Sequence, residues 1–217
     1  MNSYANMIDE GDGVPVNKEE ATKYYKMAAD KGLEEAMNNY AIMVDEGDGV
    51  PVNKEEAEKY YKMAADKGFV RAMNSYAYMV DEGDGVSANK VIVAKYFKMA
   101  SDNGYVTSIN KYGFMLFTGD GIPLNKVEAA KYFKMGADTG YDEAFNFAYM
   151  AAKGIGMETS KELASKYYKM AADKGNVDSM YQYALILEES KSIDQQSKED
   201  MVKYFKMAVD NGNKESF

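Results

Sequence analysis

Neither cysteine nor histidine occurs anywhere in this chain. Their absence excludes disulfides, thiol nucleophiles, zinc centres built on Cys and His, and any mechanism that needs an imidazole base. No apolar run approaches the roughly 20 residues of a membrane span, and the opening residues MNSYANMIDEGDG carry neither the basic start nor the apolar core of a secretion signal. Asn-x-Ser/Thr sequons are missing despite many asparagines, which points to the cytosol. Positive charge is in short supply: 26 Lys+Arg stand against 35 Asp+Glu, a net charge of -9 that repels phosphate backbones and anionic membranes and favours cationic partners. Nucleic acid and membranes are therefore not expected partners, the expected location is cytoplasmic, and no cofactor or metal is expected.

What the chain does have is repetition. Gly11, Gly47, Gly83 and Gly119 are spaced by 36 residues, as are Gly32, Gly68, Gly104 and Gly140; two further copies follow, with one residue lost before Gly154 and one gained before Gly212. Six repeats cover almost all of the 217 residues, and with 46% apolar residues they have ample material to bury. In NKEEAEKYYKMAADKG (53–68), Asn53 is an N-cap, Glu56 completes a capping box, and Gly68 is placed for a left-handed C-cap. Between them Ala57, Tyr60, Tyr61, Ala64 and Ala65 form one helical stripe. The cap slot recurs as Asn17, Asn89, Asn125, Ser160 and Ser197. The first half, EAMNNYAIMVDEG (35–47), places Ala36, Met37, Tyr40, Met43 and Val44 on one side of a shorter helix. Each repeat is thus a helix pair, and the tight turns leave no room for an interdomain linker, so one continuous stack over 1–217 is expected.

These residues resemble the Sel-1-like repeats, relatives of the tetratricopeptide repeats. The resemblance rests on Ala36, Tyr40-Ala41, Gly47-Asp48-Gly49-Val50, Ala57, Tyr60-Tyr61, Ala64-Ala65 and Gly68, and it covers all six copies. Repeat six departs from the pattern, with ESKSIDQQSKED (189–200) in place of the glycine loop. The resemblance implies an all-α, right-handed α/α superhelix whose first helices line a concave face that holds other proteins. Because the chain starts inside a first helix and stops after a repeat boundary, without the polar capping helix such arrays need, a fragment of a longer polypeptide is expected.

Several motifs imitate chemistry. DEGDGVPVNKEE stands at 9–20 and again at 45–56, and it resembles a calcium loop at first sight. Such a loop needs oxygen ligands at its first, third and fifth places and glycine at its sixth, whereas here Gly47, Gly49 and Val50 occupy the third, fifth and sixth. A helix connector explains the glycines, the proline and the capping box together. SANK (87–90), SDN (101–103) and DTG (138–140) mimic hydrolase signatures, yet each fills an ordinary repeat slot, so no enzyme is expected.

The outer side of each first helix is the candidate site. Asn38, Asn74 and Asn110, preceded by Asn2 and with Asn146 near the same place, form a ladder of amides able to hold the backbone of an extended peptide. Asp45 and Asp81, with Asp9, Glu10, Glu46 and Glu82, make an acidic half that favours a basic partner. Tyr78, Phe114, Phe117 and Tyr149 make an aromatic half suited to anchoring. Met27, Met63, Met99, Met135, Met170 and Met207 recur beside the aromatic pair and are expected to pack between helix pairs against its rings. The reading is a non-catalytic scaffold or adaptor for an extended, basic peptide or protein. Its rivals are an enzyme or small-molecule binder with a pocket inside the superhelix, and a passive spacer or regulatory arm of a larger signalling or degradation protein.

Overall fold

The computed structural model describes residues 1–83, 87–140, 144–190 and 194–212. Within the departing loop of repeat six, 191–193 lie outside the described residues, as do 213–217 of the C-terminal stretch. The described residues form twelve helices and no strand. The first helices of the pairs are α1 (Asn2–Glu10), α3 (Glu34–Glu46), α5 (Val70–Glu82), α7 (Val106–Thr118), α9 (Ala144–Lys153) and α11 (Val177–Glu188). The second helices are α2 (Lys18–Ala29), α4 (Lys54–Asp66), α6 (Lys90–Asp102), α8 (Lys126–Asp138), α10 (Lys161–Asp173) and α12 (Gln195–Asp210). Neighbouring helices pack on one another from α1 through α6 and from α8 through α12, as in an all-α repeat solenoid, and the chain groups into two compact units, 1–108 and 109–217.

Local chemistry places the helix ends where the pattern puts them. Asn17, Asn53 and Asn125 each accept the backbone N–H of a glutamate three residues on, and Ser160 accepts that of Leu163. Repeat six is different: Asp194, not Ser197, caps α12 and accepts the Ser197 N–H at 2.7 Å. A carboxylate three residues upstream outcompetes the serine hydroxyl and lengthens the helix by a turn. The stripe Ala57, Tyr60, Tyr61, Ala64 and Ala65 is buried, as are Ala36, Met37, Tyr40, Met43 and Val44. The recurring methionines are not core: Met27, Met63 and Met135 are exposed and Met99, Met170 and Met207 half-buried, because the alanine pairs that follow take the buried arc.

Two devices join one helix pair to the next. The first is the second glycine of the GDG loop. Gly49, at φ +77, lies so close to the backbone of the preceding pair that an added Cβ would stand 2.4 Å from the Lys18 carbonyl carbon, and Gly156 meets the Lys126 carbonyl in the same way at 2.1 Å. The loop is therefore a contact between pairs as well as a turn. The aspartate between the glycines closes the same corner: Lys18, bonded to Asp9 of its own pair at 2.6 Å, also reaches Asp48 at 3.3 Å.

The second device is a tyrosine latch. The hydroxyl of Tyr60 donates to Asp30 at 2.6 Å, Tyr96 to Asp66 at 2.5 Å, Tyr167 to Asp138 at 2.5 Å, and Tyr204 to Asp173. Each joins the second helix of one pair to the end of the second helix before it. Partial burial raises the pKa of Asp66, Asp138 and Asp173, but a lysine one turn earlier and the tyrosine hydroxyl outweigh that, so all three titrate below the ordinary 3.8. A carboxyl whose folded value is depressed stabilises the fold above its unfolded value, and the contribution is lost as pH falls through the folded value. Urea midpoints should thus hold near neutrality and drop below about pH 4. Replacing all three aspartates by asparagine should flatten that acid limb, and an unchanged limb would place the acid sensitivity elsewhere.

Candidate functional site

The asparagine ladder is unevenly exposed. Asn38 is 2% exposed; its amide donates to Asn39 at 3.4 Å and its buried carbonyl oxygen meets no donor. It cannot contact a partner, which corrects the expectation for this residue. Asn74 is half-buried and accepts the Ser108 hydroxyl at 2.9 Å, a bond between neighbouring pairs; Asn110 is half-buried in α7. The residue loss precedes α9, so the slot continues as Phe145 and Tyr181, and Asn146 lies one place beyond it. The same 34-residue step that leads from Asn74 to Ser108 leads from Asn38 to Ala72, a fully buried methyl. Ala72→Ser should supply the missing donor and stabilise the chain by about 1 kcal/mol. Urea unfolding would show it, and a loss of stability would mean that the Asn38 oxygen is not reached from that position.

The acidic residues are already engaged. Asp45 pairs with Lys54 and Asp81 with Lys90, each at 2.7 Å, repeating Asp9–Lys18. These pairs neutralise the three aspartates locally, while the net charge of -9 already includes their lysines. At Phe117 the carboxylate of this slot is replaced by a ring, and the matching Lys126 stands 5.7 Å from its centroid, a cation–π contact in place of an ion pair. Asp45, Asn74 and Tyr78 do converge, with Tyr61, on a small cleft of about 210 Å³. Tyr78 leans edge-on against Phe97 at 5.1 Å, and Phe114 against Phe133 at 5.0 Å. Gly113 replaces the usual alanine where a Cβ would stand 3.1 Å from the Phe133 ring. Phe114 remains 46% exposed and Tyr149 41%.

A concavity in the second unit is built by repeats five and six. It encloses about 900 Å³ between α9, α10 and α11, with Phe145, Tyr149, Tyr168, Tyr181 and Leu185 forming its apolar walls. The former asparagine slot explains it. Phe145 packs against Tyr168 at 5.9 Å and Tyr181 against Phe205 at 6.0 Å, so two rings stand where earlier repeats carry amides. Burial pushes the Tyr168 hydroxyl up to about 12, so that wall is neutral at physiological pH. Lys161 and Glu189 pair at 2.7 Å at the rim, both well exposed. Lys153 lines the cleft without an ion pair or hydrogen bond among the described residues. Of the residues singled out in the sequence, only Tyr149 lies here; the switch of the repeating slot from Asn to Phe145 and Tyr181 was the available signal. Among the described residues no group of three or more acidic side chains is arranged to hold a metal ion, and no helix is long and apolar enough to cross a membrane.

Comparison with known proteins fixes the family. The Sel1 repeat model matches residues 1–33, 34–69, 70–105, 106–141, 144–176 and 177–213. The chain belongs to the Sel1 repeat family. Among solved structures, this Sel1 repeat chain is similar to a protective antigen of uropathogenic Escherichia coli strains displaying an SLR fold, with 27% identity and a TM-score of 0.90 over 99% of this chain and 46% of the antigen. It is similar also to a Sel1 repeat protein from Oxalobacter formigenes, with 26% identity and a TM-score of 0.71 over 95% of this chain and 83% of that one. The chain thus spans less than half the length of the antigen. No curated protein matches it. Sel1 repeats commonly mediate protein–protein interaction, and the family is generally non-enzymatic.

Proposed function

We propose that this Sel1 repeat chain is a protein-interaction scaffold that holds an extended segment of its partner in the cleft of repeats five and six. The observation that carries the reading is the gathering of Phe145, Tyr149 and Tyr181, with Leu185 and Tyr168, around one volume of about 900 Å³. Aromatic walls in a concave surface supply large contact area at low entropic cost, the hallmark of residues that dominate binding energy. An apolar or aromatic side chain of the partner would fill the cleft. Lys153, unpaired at its edge, favours an acidic group beside that anchor rather than the basic segment that net charge alone favours.

The volume also falls in the range of roughly 300–1,000 Å³ typical of small-molecule sites, which makes a small apolar ligand the second reading. Selection from a random peptide library on the immobilised chain separates the two. The scaffold reading expects enriched peptides with a recurring aromatic or large aliphatic residue next to Asp or Glu. Failure to enrich any motif, together with saturable binding of a small apolar dye that Phe145→Ala abolishes, would favour the second reading.

A further inference from the structure

The junction between repeats two and three differs from its neighbour in where its charges stand. Between repeats one and two the chain supplies its own cation: Lys26 of α2 reaches the Glu56 carboxylate at 2.7 Å and the hydroxyls of Tyr40 and Tyr60 at 3.2 and 3.3 Å. Between repeats five and six Lys169 does likewise, bonding Tyr204 at 3.1 Å and facing the Tyr183 ring at 5.8 Å. One period on from Lys26, Tyr40 and Glu56 stand Lys62, Tyr76 and Ile92. With an isoleucine where the carboxylate was, Lys62 turns along its own helix to Asp66 at 2.6 Å. No lysine hydrogen-bonds Tyr76 among the described residues.

The carboxylate reappears on the opposite wall. Glu58 of α4 stands in the slot that Thr22 holds one repeat earlier, where the threonine hydroxyl bonds the Lys18 and Asp48 carbonyls. The later repeats carry Ala94, Ala130, Ser165 and Val202 there, so Glu58 is the one acid of the slot. Tyr76, 3% exposed, donates to Glu58 at 3.4 Å, a long bond that leaves the carboxylate with acceptor positions to spare. Glu55 lies one turn before Glu58. Neither makes an ion pair among the described residues, since the lysines four places on are engaged elsewhere: Lys59 over the Tyr60 ring at 5.5 Å and Lys62 with Asp66. These groups border a cleft of about 560 Å³ with Val80 and Ile92 as its apolar wall. Ser87 and Ala88 of the SANK loop line it, in place of the bulkier Pro51 and Val52 of the repeat before. The junction lies inside the array, with one repeat before it and three after it.

We infer that this cleft is a docking site for a lysine side chain of a protein partner. The ammonium group sits among Glu58, Glu55 and the Tyr76 hydroxyl, as Lys26 sits among Glu56 and two tyrosines, and the alkyl stem lies along Val80 and Ile92. Two carboxylates and one phenol match the three donors of an ammonium group. The site belongs to the first unit and takes the opposite charge from the cleft of repeats five and six, so it stands or falls independently of that reading.

Heteronuclear NMR of the full chain, titrated with the pentapeptide Ac-Gly-Gly-Lys-Gly-Gly-NH2, tests this. The expected result is saturable shifts of the amides of 55–58, 76–80 and 87–92 with a Kd of about 1–10 mM, the strength of a single side chain. Versions with norleucine or acetyllysine at the centre should shift nothing, and an arginine version should bind more weakly. Glu58→Thr, which installs the residue of repeat one, should weaken the lysine peptide by about tenfold or more, the ordinary effect of losing a charged hydrogen-bond partner. Adding Ile92→Glu to it rebuilds the junction of repeats one and two, draws Lys62 inward as Lys26 is drawn, and should abolish binding while the melting temperature stays at or above that of the parent, which keeps misfolding apart from lost contact. Shifts that persist unchanged in Glu58→Thr, equal shifts from the norleucine peptide, or tighter binding of the arginine peptide would each overturn the inference. So would n-butylamine binding at these amides about tenfold more tightly than the lysine peptide, which would assign the cleft to a free amine.

Discussion

Gly49→Ala should cost about 3–4 kcal/mol, whereas Gly13→Ala, at the same loop position one repeat earlier, should cost only about 1–2 kcal/mol. Both glycines have left-handed backbones, with φ of +77 and +73, so the conformational strain of a new methyl is common to both. Their surroundings are not. A Cβ on Gly49 would come within 2.4–2.6 Å of the Lys18 carbonyl and the Glu19 nitrogen, backbone atoms that cannot move without prying the two pairs apart; a Cβ on Gly13 meets nothing within 4 Å. Thermal unfolding should therefore separate the variants by roughly 5–10 °C. Gly156→Ala should behave like Gly49→Ala, since its Cβ would overlap the Lys126 carbonyl. Equal losses at Gly13 and Gly49 would mean that the loop glycines serve only the turn.

The sequence makes the turn requirement visible but hides the closer reason for the second glycine. Period, caps and buried stripes are local properties, repeated often enough that Asn53, Ala57, Tyr60 and Gly68 specify a helix pair without reference to its neighbours. The latch depends on contact between pairs. Asp30 and Tyr60 look like a helix end and a core ring, and only the stacked geometry brings carboxylate and hydroxyl to 2.6 Å. The same limit hides the surroundings of several candidate site residues. Asn38 lies opposite the core of its own helix and reads as outward, but it is only 2% exposed. Asp45 and Asp81 look available because their lysine partners lie nine residues further on, across the loop. Phe117 reads as an unexplained outward ring until Lys126 is seen above it. What escaped entirely is the cleft, since Phe145 and Tyr181 become informative only when the register shift before α9 assigns them to the asparagine slot.

The second large effect concerns that cleft. Replacing Phe145 and Tyr181 together by alanine should weaken a cognate segment by at least about a hundredfold, as removal of two central aromatic contacts at about 2 kcal/mol or more each does elsewhere. Lys153→Glu should weaken it less, by about three- to tenfold, and the loss should shrink in high salt, because an exposed charge is screened. Asn74→Ala, in the other unit, should leave affinity unchanged while lowering stability by about 1 kcal/mol, since it abandons the Ser108 hydroxyl. Isothermal titration with a peptide enriched from the library gives all three affinities. The opposite order, with Asn74→Ala abolishing binding and the double variant neutral, would return the site to the asparagine ladder.

Amide hydrogen exchange of the full chain, with and without the enriched peptide at saturating concentration, is the measurement closest to the central claim. The account predicts slowed exchange in 144–153 and 177–189, the helices that carry Phe145, Tyr149, Tyr181 and Leu185, with 1–83 unchanged. Slowed exchange confined to 34–82, around Asp45, Asn74 and Tyr78, with no change in 144–189, would contradict it.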